Sequence, residues 1–192
     1  MNVSASSCSS SIQPPAYPIG GFDVVQTSLT DAPWYAVAVI PRHEKKVHSY
    51  LRQRGIATFL PVYRSVRRWK DRNKVLDLAL FPGYLFVNLD LRDRLSVLQS
   101  PGVMQFVSFQ GRPTPVADRE IRTLMRSAES GIQTSPHPYL SVGRKVRVVC
   151  GPMAGVEGIL KRRKDCVRLV ISIDLIKRSV MLEVDESDVE AL

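Results

Sequence analysis

Residues 130–141, Ser-Gly-Ile-Gln-Thr-Ser-Pro-His-Pro-Tyr-Leu-Ser, divide this chain into two stretches whose apolar residues repeat with different periods. Before the divide, apolar runs alternate with helical spacing; after it, short β segments follow one another with no helix between them. A chain of 192 residues broken in this way has room for one medium domain and one small one. Pro136 and Pro138 favour a semi-extended tether between the two. The expected organisation is a disordered Ser/Pro-rich tail over 1–32, a sheet-and-helix domain over 33–129, a linker over 130–141 and a β-barrel over 142–192.

The tail holds seven serines and no Lys or Arg, and shows no apolar period. From Pro33 the pattern changes. Trp34-Tyr35-Ala36-Val37-Ala38-Val39-Ile40 reads as a buried strand. A helix follows over 44–54, with Val47, Tyr50 and Leu51 in its apolar stripe, Lys45, His48 and Arg52 on its wet face and Gly55 as its stop. Strand patterns recur at 56–63, at 76–89 around Phe81-Pro82-Gly83-Tyr84, and at 103–109. Helices are predicted at 94–98 and 118–128, the second with Asp118 as N-cap and Ile121, Leu124 and Met125 facing inward. This is an α+β layer, a sheet with helices packed on it. Beyond the linker, strand segments at 145–149, 158–160, 167–173 and 180–184, with glycines at 143, 151, 155 and 158, predict a small β-barrel.

Net charge is +9, and its distribution matters more than its size. Residues 33–140 carry 17 basic and 8 acidic groups, whereas 141–192 carry 10 and 8. The first domain therefore holds nearly all the excess. Residues 64–74 concentrate six basic groups and one acid, with Trp69 among them. Such cations can follow a phosphate backbone and the indole can stack on a base. The same charges also suit a solvated hairpin whose cations discourage edge pairing. A second group, Arg42, Lys45 and Lys46, opens the first helix, where the dipole disfavours cations, so a function offsets that cost. In the barrel, the basic turn 161–164 is balanced by acids at 183, 185, 186, 188 and 190 and reads as a solvated tip.

Several functions are disfavoured. Cys8, Cys150 and Cys166 form no C-x-x-C pair, and His43, His48 and His137 share no metal-ligand spacing with them. Neither a metal nor another cofactor is expected. Phosphate-loop, nucleophile-elbow and zinc-protease motifs are absent, which points to a binding protein rather than an enzyme. No apolar run nears the roughly 20 residues that span a bilayer, and the first basic residue is Arg42, so no signal-peptide pattern opens the chain. A cytoplasmic protein without membrane partners is expected.

Particular segments then carry a family likeness. Trp34-Tyr35-Ala36-Val37, Pro41-Arg42-His43-Glu44-Lys45-Lys46, Phe59-Leu60-Pro61-Val62-Tyr63 and Leu80-Phe81-Pro82-Gly83-Tyr84-Leu85-Phe86-Val87 resemble the N-terminal (NGN) domain of NusG-type transcription factors. Pro101-Gly102-Val103-Met104-Gln105-Phe106-Val107 and Arg112-Pro113-Thr114-Pro115-Val116 continue it. Val146 to Gly158 and Arg168 onward to Glu190 resemble a KOW module, an SH3-like β-barrel. The likeness spans about 33–192 in consistent order, and the F-L-P-V-Y and K-R-S-V segments look like the specialised UpxY- or RfaH-like antiterminator branch.

The resemblance implies an elongation factor that suppresses pausing and termination. Its first domain would lay an apolar patch on the clamp helices of the largest RNA polymerase subunit, through Phe81 and Tyr84 with Trp34 and Tyr35 beneath or beside them. It implies contact with the non-template DNA strand through Arg42, Lys46 and Arg54, to which the basic stretch adds Arg67, Arg68 and Lys70. The barrel would meet a termination or ribosomal partner through Leu175, Ile176 and Arg178. An aliphatic residue where the housekeeping factor has an aromatic, and Lys177 where it has glycine, argue against Rho and leave a small-subunit ribosomal protein. The β-branched run at 167–173 argues against the refolding into a helical hairpin known in one relative. The alternative is a KOW-type RNA-binding or ribosome-associated protein.

Overall fold

The computed structural model describes residues 32–68, 73–132, 134–139, 143, 145–163, 166–185 and 188–192. Residues 1–31 of the expected tail, Lys70 and part of the 161–164 turn lie outside them.

Strand β1 (Trp34–Val39) is the centre of the first unit. It pairs antiparallel with β5 (Tyr84–Asn88) on one side and β6 (Val103–Phe106) on the other, and β2 (Ala57–Phe59) completes a sheet of order β2-β5-β1-β6. Alternation along the strands sorts side chains to two faces. Tyr35, Val37 and Val39, with Leu85 and Val87, face helix α1 (Glu44–Gln53), which packs Val47 and Leu51 against them. Trp34, Ala36 and Phe86 face the other way, where helix α3 (Asp118–Glu129) supplies Ile121 and Leu124. A strand covered on both faces has no polar side, which is why 34–40 reads as an unbroken apolar run.

Helix α1 ends as its glycine requires. Gly55 N–H donates to Arg52 O at 2.9 Å and Ile56 N–H to Leu51 O at 3.0 Å, the two bonds of a Schellman motif, with Gly55 at φ +77°. Two sequence expectations for α1 fail. Tyr50 is exposed rather than in the buried stripe, because α1 is apolar on the narrow line of Val47 and Leu51 alone. His48 is half-buried rather than on the wet face, and its Nδ1 lies 2.8 Å from the Thr58 hydroxyl on β2. A second short helix, α2 (Arg94–Leu98), matches its expected span.

Helix α3 starts one residue differently from expectation. Ala117 is the N-cap, with extended backbone and no side-chain cap, while Asp118 stands in the first turn and pairs with Arg122 at 3.8 Å. The reason lies upstream: Val116 N–H is tied to Trp34 O at 2.8 Å, which keeps the chain extended until Ala117. Asp118 still meets the positive end of the helix.

Strands β3 (Val62–Arg68) and β4 (Asn73–Ala79) form a separate two-stranded ribbon, and β7 (Ser108–Phe109) with β8 (Arg112–Pro113) a smaller one. The single strand expected at 56–63 is therefore two, β2 and the start of β3. Leu80 N–H donates to Pro61 O at 2.8 Å where they part.

The second unit is all-β. Strands β10 (Lys145–Val148), β11 (Glu157–Arg163), β12 (Cys166–Ile173), β13 (Arg178–Val184) and β14 (Val189–Ala191) lie in the order β14-β10-β11-β12-β13. Leu169 pairs with Leu182 and Ile171 with Val180 inside, while Arg168 and Glu183 pair outside at 2.8 Å. The tether adds a sixth strand: β9 (Thr134–His137) pairs antiparallel along the edge of β13. An open sheet edge attracts any nearby extended segment, and the Pro-containing linker is already extended.

One glycine makes a sharp prediction. A Cβ on Gly158 would lie 2.7 Å from the backbone oxygen of Val170 and 2.8 Å from Leu169 Cδ1. The oxygen belongs to the neighbouring strand and cannot move without parting β11 from β12. Gly158→Ala is expected to destabilise the barrel by about 1–3 kcal/mol, read as a lower urea midpoint in equilibrium unfolding. An unchanged midpoint would show that the two strands tolerate separation.

Candidate functional site

The connection from β4 to β5 is a tight turn. Tyr84 N–H donates to Phe81 O at 3.0 Å, Pro82 takes the second position and Gly83, at φ +83°, the third. Proline followed by a glycine with positive φ is the signature of a type II turn. The turn sends its aromatic ends in different directions. Phe81 is 1% exposed and meets Phe86 edge-on at 5.9 Å. Tyr84 stays half-buried at the rim of the same cluster, with its hydroxyl able to seek water or a partner.

Trp34 and Tyr35 lie deeper, 8% and 5% exposed. Trp34 packs edge-on against Phe59 at 6.5 Å, and Tyr35 against Phe106 at 6.0 Å on the opposite face of the sheet. Burial, with Asp90 adding to it, pushes the Tyr35 phenol above its usual range. Of the four expected contact aromatics, Phe81, Trp34 and Tyr35 are thus interior, and Tyr84 reaches the surface.

The expected nucleic-acid cations fall on two elements. Arg42, in the turn before α1 at φ +69°, and Lys46 and Arg54 are all exposed. Tyr50 stands between the last two at four-residue spacing; Arg54 donates to its hydroxyl at 3.3 Å and lies 5.5 Å from its ring centre. An exposed aromatic between cations suits a stacked base, and sequence reading missed it by assigning Tyr50 to the core. The signal was present in the spacing of 46, 50 and 54. Arg67 and Arg68 are on β3, opposite Lys74 and Asn73. Arg64 faces Asp77 across the ribbon at 3.9 Å, and Val66 faces Val75, both exposed. Among the described residues the ribbon pairs with neither large sheet, and Val62 and Ala79 at its other end pack against the core of the first unit.

In the barrel, Asp174–Ile176 form a 3-10 turn between β12 and β13. Ile176 is buried, Leu175 half-buried and Arg178 exposed. The chain itself touches this turn from two sides. Tyr139, from the linker, donates its hydroxyl to Asp174 Oδ1 at 2.8 Å, and Lys177 Nζ lies 4.8 Å from the Tyr139 ring. From α3, Glu120 lines the same cleft as Asp174, and Arg126 Nη1 donates to Ala154 O at 2.9 Å. The apolar cluster is continuous here, from Ile121 and Leu124 to Met153 and Ile176. A cleft of about 440 Å³ opens beside the contact, lined by Arg119, Glu120, Tyr139, Lys145 and Asp174.

Burial first, and the Asp174 charge second, raise the Glu120 carboxyl above 4.5. The Glu120 carboxyl in this fold therefore holds its proton more tightly than a free one, in part because the barrel's Asp174 stands beside it. Docking of α3 on the barrel is accordingly expected to be strongest below the ordinary Glu range and to weaken as pH rises through the raised value. Glu120→Gln should flatten this dependence, measured as pH-dependent NMR shifts of barrel amides facing α3. The same slope in wild type and variant would exclude Glu120 as its source.

An antiparallel four-stranded sheet between two helices, with a basic ribbon on one unit and a small barrel after it, is the NGN-plus-KOW architecture. The family model described as NusG, "Transcription termination factor nusG", matches residues 32–125. "Transcription termination/antitermination protein NusG" of Neisseria meningitidis serogroup B is 28% identical over 173 residues, covering 83% of this chain and 97% of the relative. The Thermus thermophilus protein of the same name is 28% identical over 177 residues, covering 81% and 96%. A solved structure, "Domain interaction in Thermotoga maritima NusG", is 24% identical, covers 83% of this chain and 97% of that one, and superposes with a TM-score of 0.53. Residues 32–125 thus belong to the NusG family of transcription termination and antitermination factors, and the likeness to NusG proteins continues through the second unit.

Proposed function

We propose that this protein is an elongation and antitermination factor of the specialised UpxY- or RfaH-like branch, acting by binding and without a reaction of its own. The first domain holds the clamp helices of the largest RNA polymerase subunit through the surface around Tyr84. Phe81 and Trp34 stiffen that surface from within, whereas Tyr35 packs on the opposite face of the sheet. Arg42, Lys46 and Arg54, with Arg67 and Arg68 of the ribbon and Lys70 just after them in sequence, contact the non-template DNA. The barrel uses the surface of Leu175 and Arg178, with Ile176 packed beneath them, for a small-subunit ribosomal protein rather than Rho, in the cytoplasm where transcription and translation meet.

The observation that carries this reading is the type II turn at Phe81–Tyr84, which sets one tyrosine at the rim of a rigid aromatic cluster. An amphipathic side chain backed by packed rings is the form of an interface hot spot. In transcription by cognate core polymerase, the full chain is expected to shorten pauses and raise read-through of terminators. Recovery of ribosomal RNA without polymerase subunits on co-purification, with no change in pausing, would replace this reading with that of an RNA-binding or ribosome-associated protein.

A further inference from the structure

The strands alone do not hold the Phe81–Tyr84 turn. Gly83 is gripped on both sides of its α-carbon: its carbonyl accepts from Val39 N–H at 2.9 Å, and its N–H donates to Glu44 Oε1 at 2.7 Å. The first of these ties the turn to the end of β1. The second ties it to α1, thirty-nine residues away in sequence.

Glu44 is an unusual residue to find here. It is 6% exposed, and among the described residues no Lys or Arg pairs with it. A buried carboxylate without a cation is costly unless hydrogen bonds and local dipoles answer its charge. Both are present. Glu44 is the first residue of α1, where unpaired backbone N–H groups and the helix dipole favour an anion. The bond from Gly83 N–H is charge-assisted and short. The side chain thus spends its burial on one directed contact, to the residue that precedes Tyr84.

The position also joins two surfaces. Arg42 stands two residues before Glu44 and Lys46 two residues after it, so the carboxylate that grips the turn also lies where the basic start of α1 begins. We propose that Glu44 is a positioning residue that locks the Tyr84 turn to the first turn of α1, holding the polymerase-contacting and nucleic-acid-contacting surfaces in fixed register. This rests on the reading of Tyr84 as a polymerase contact.

Three variants of the full chain test it, each read by amide hydrogen exchange at Gly83 and by affinity for core RNA polymerase. Glu44→Gln retains an oxygen at the same reach, and is expected to keep Gly83 protected and affinity within about threefold of wild type. Glu44→Asp keeps the charge at the helix start but is one methylene too short, and Glu44→Ala removes the acceptor. Both should speed Gly83 exchange at least about tenfold and weaken polymerase binding about tenfold, with amides of Val37 and Val87 as protected as before. If Glu44→Ala loosens the whole sheet, the contrast between Gln and Asp decides the matter.

Asp behaving as wild type while Gln fails would show that the charge at the helix start matters and the grip on Gly83 does not. Gly83 exchanging freely with polymerase affinity unchanged would overturn the positioning role. Should Tyr84→Ala bind polymerase normally while Gly83 exchange follows the expected order, Glu44 still holds the turn and the assignment of Tyr84 fails instead.

Discussion

Tyr84→Ala is expected to lower the affinity of the full chain for core RNA polymerase by about thirtyfold and to remove its effect on pausing, while the first domain stays folded. The magnitude follows from hot-spot energetics: truncating a central aromatic costs about 2 kcal/mol or more, and each 1.4 kcal/mol or so is tenfold in affinity. The fold should survive because Tyr84 is half-buried at the rim of its cluster, whereas Phe81, Phe86 and Phe59 fill the interior. Phe81→Ala makes the informative contrast, since it empties a fully buried site and should lose about 3–5 kcal/mol of stability before any binding is measured. A calorimetric scan beside a binding titration separates the two. Full antipausing activity in Tyr84→Ala would remove the tyrosine from the interface.

Replacing Arg67, Arg68 and Lys70 together with Gln is expected to weaken binding to single-stranded DNA on the order of a hundredfold at about 0.1 M salt. Phosphate contacts release counterions, so losing three should flatten the slope of log affinity against log salt by about 2. The loss should be similar for every DNA sequence, because phosphate contacts position a protein without reading bases. Tyr84→Ala should leave this slope alone, and the triple replacement should leave polymerase binding in high salt alone. An unchanged slope would reduce the ribbon's charge to the other use it admits, a solvated edge that resists aggregation.

Much of the first domain is legible from short segments because the forces that shape them are local. Pro82-Gly83 specifies its turn through one residue with a preset φ and one free to take φ +83°. Gly55 stops α1 for the same kind of reason. The helical spacing of Ile121 and Leu124 marks the inner face of α3 without reference to its neighbours. The basic stretch of 64–74 is likewise visible in a plain count of charges.

The misreadings share a different cause. Tyr50 and Leu51 are both apolar enough for a core, and only the narrow contact between α1 and the sheet decides that Leu51 goes in and Tyr50 stays out. His48 reads as a surface residue until β2 brings Thr58 beside it. The linker reads as a tether until the open edge of β13 takes it as β9. Glu44 reads as one more charge at a helix start, with nothing nearby in sequence to show that it is buried against Gly83.

The chain alone therefore established its two patterned units, the turn at Phe81–Tyr84 and the concentration of positive charge in the first unit, since propensity, periodicity and charge are properties of neighbours in sequence. Tertiary packing decided which aromatic faces outward, what holds the turn, and that α3 and Tyr139 rest on the Asp174–Ile176 turn. Those outcomes depend on groups thirty or more residues apart meeting at hydrogen-bond distance, and no local pattern encodes such a meeting.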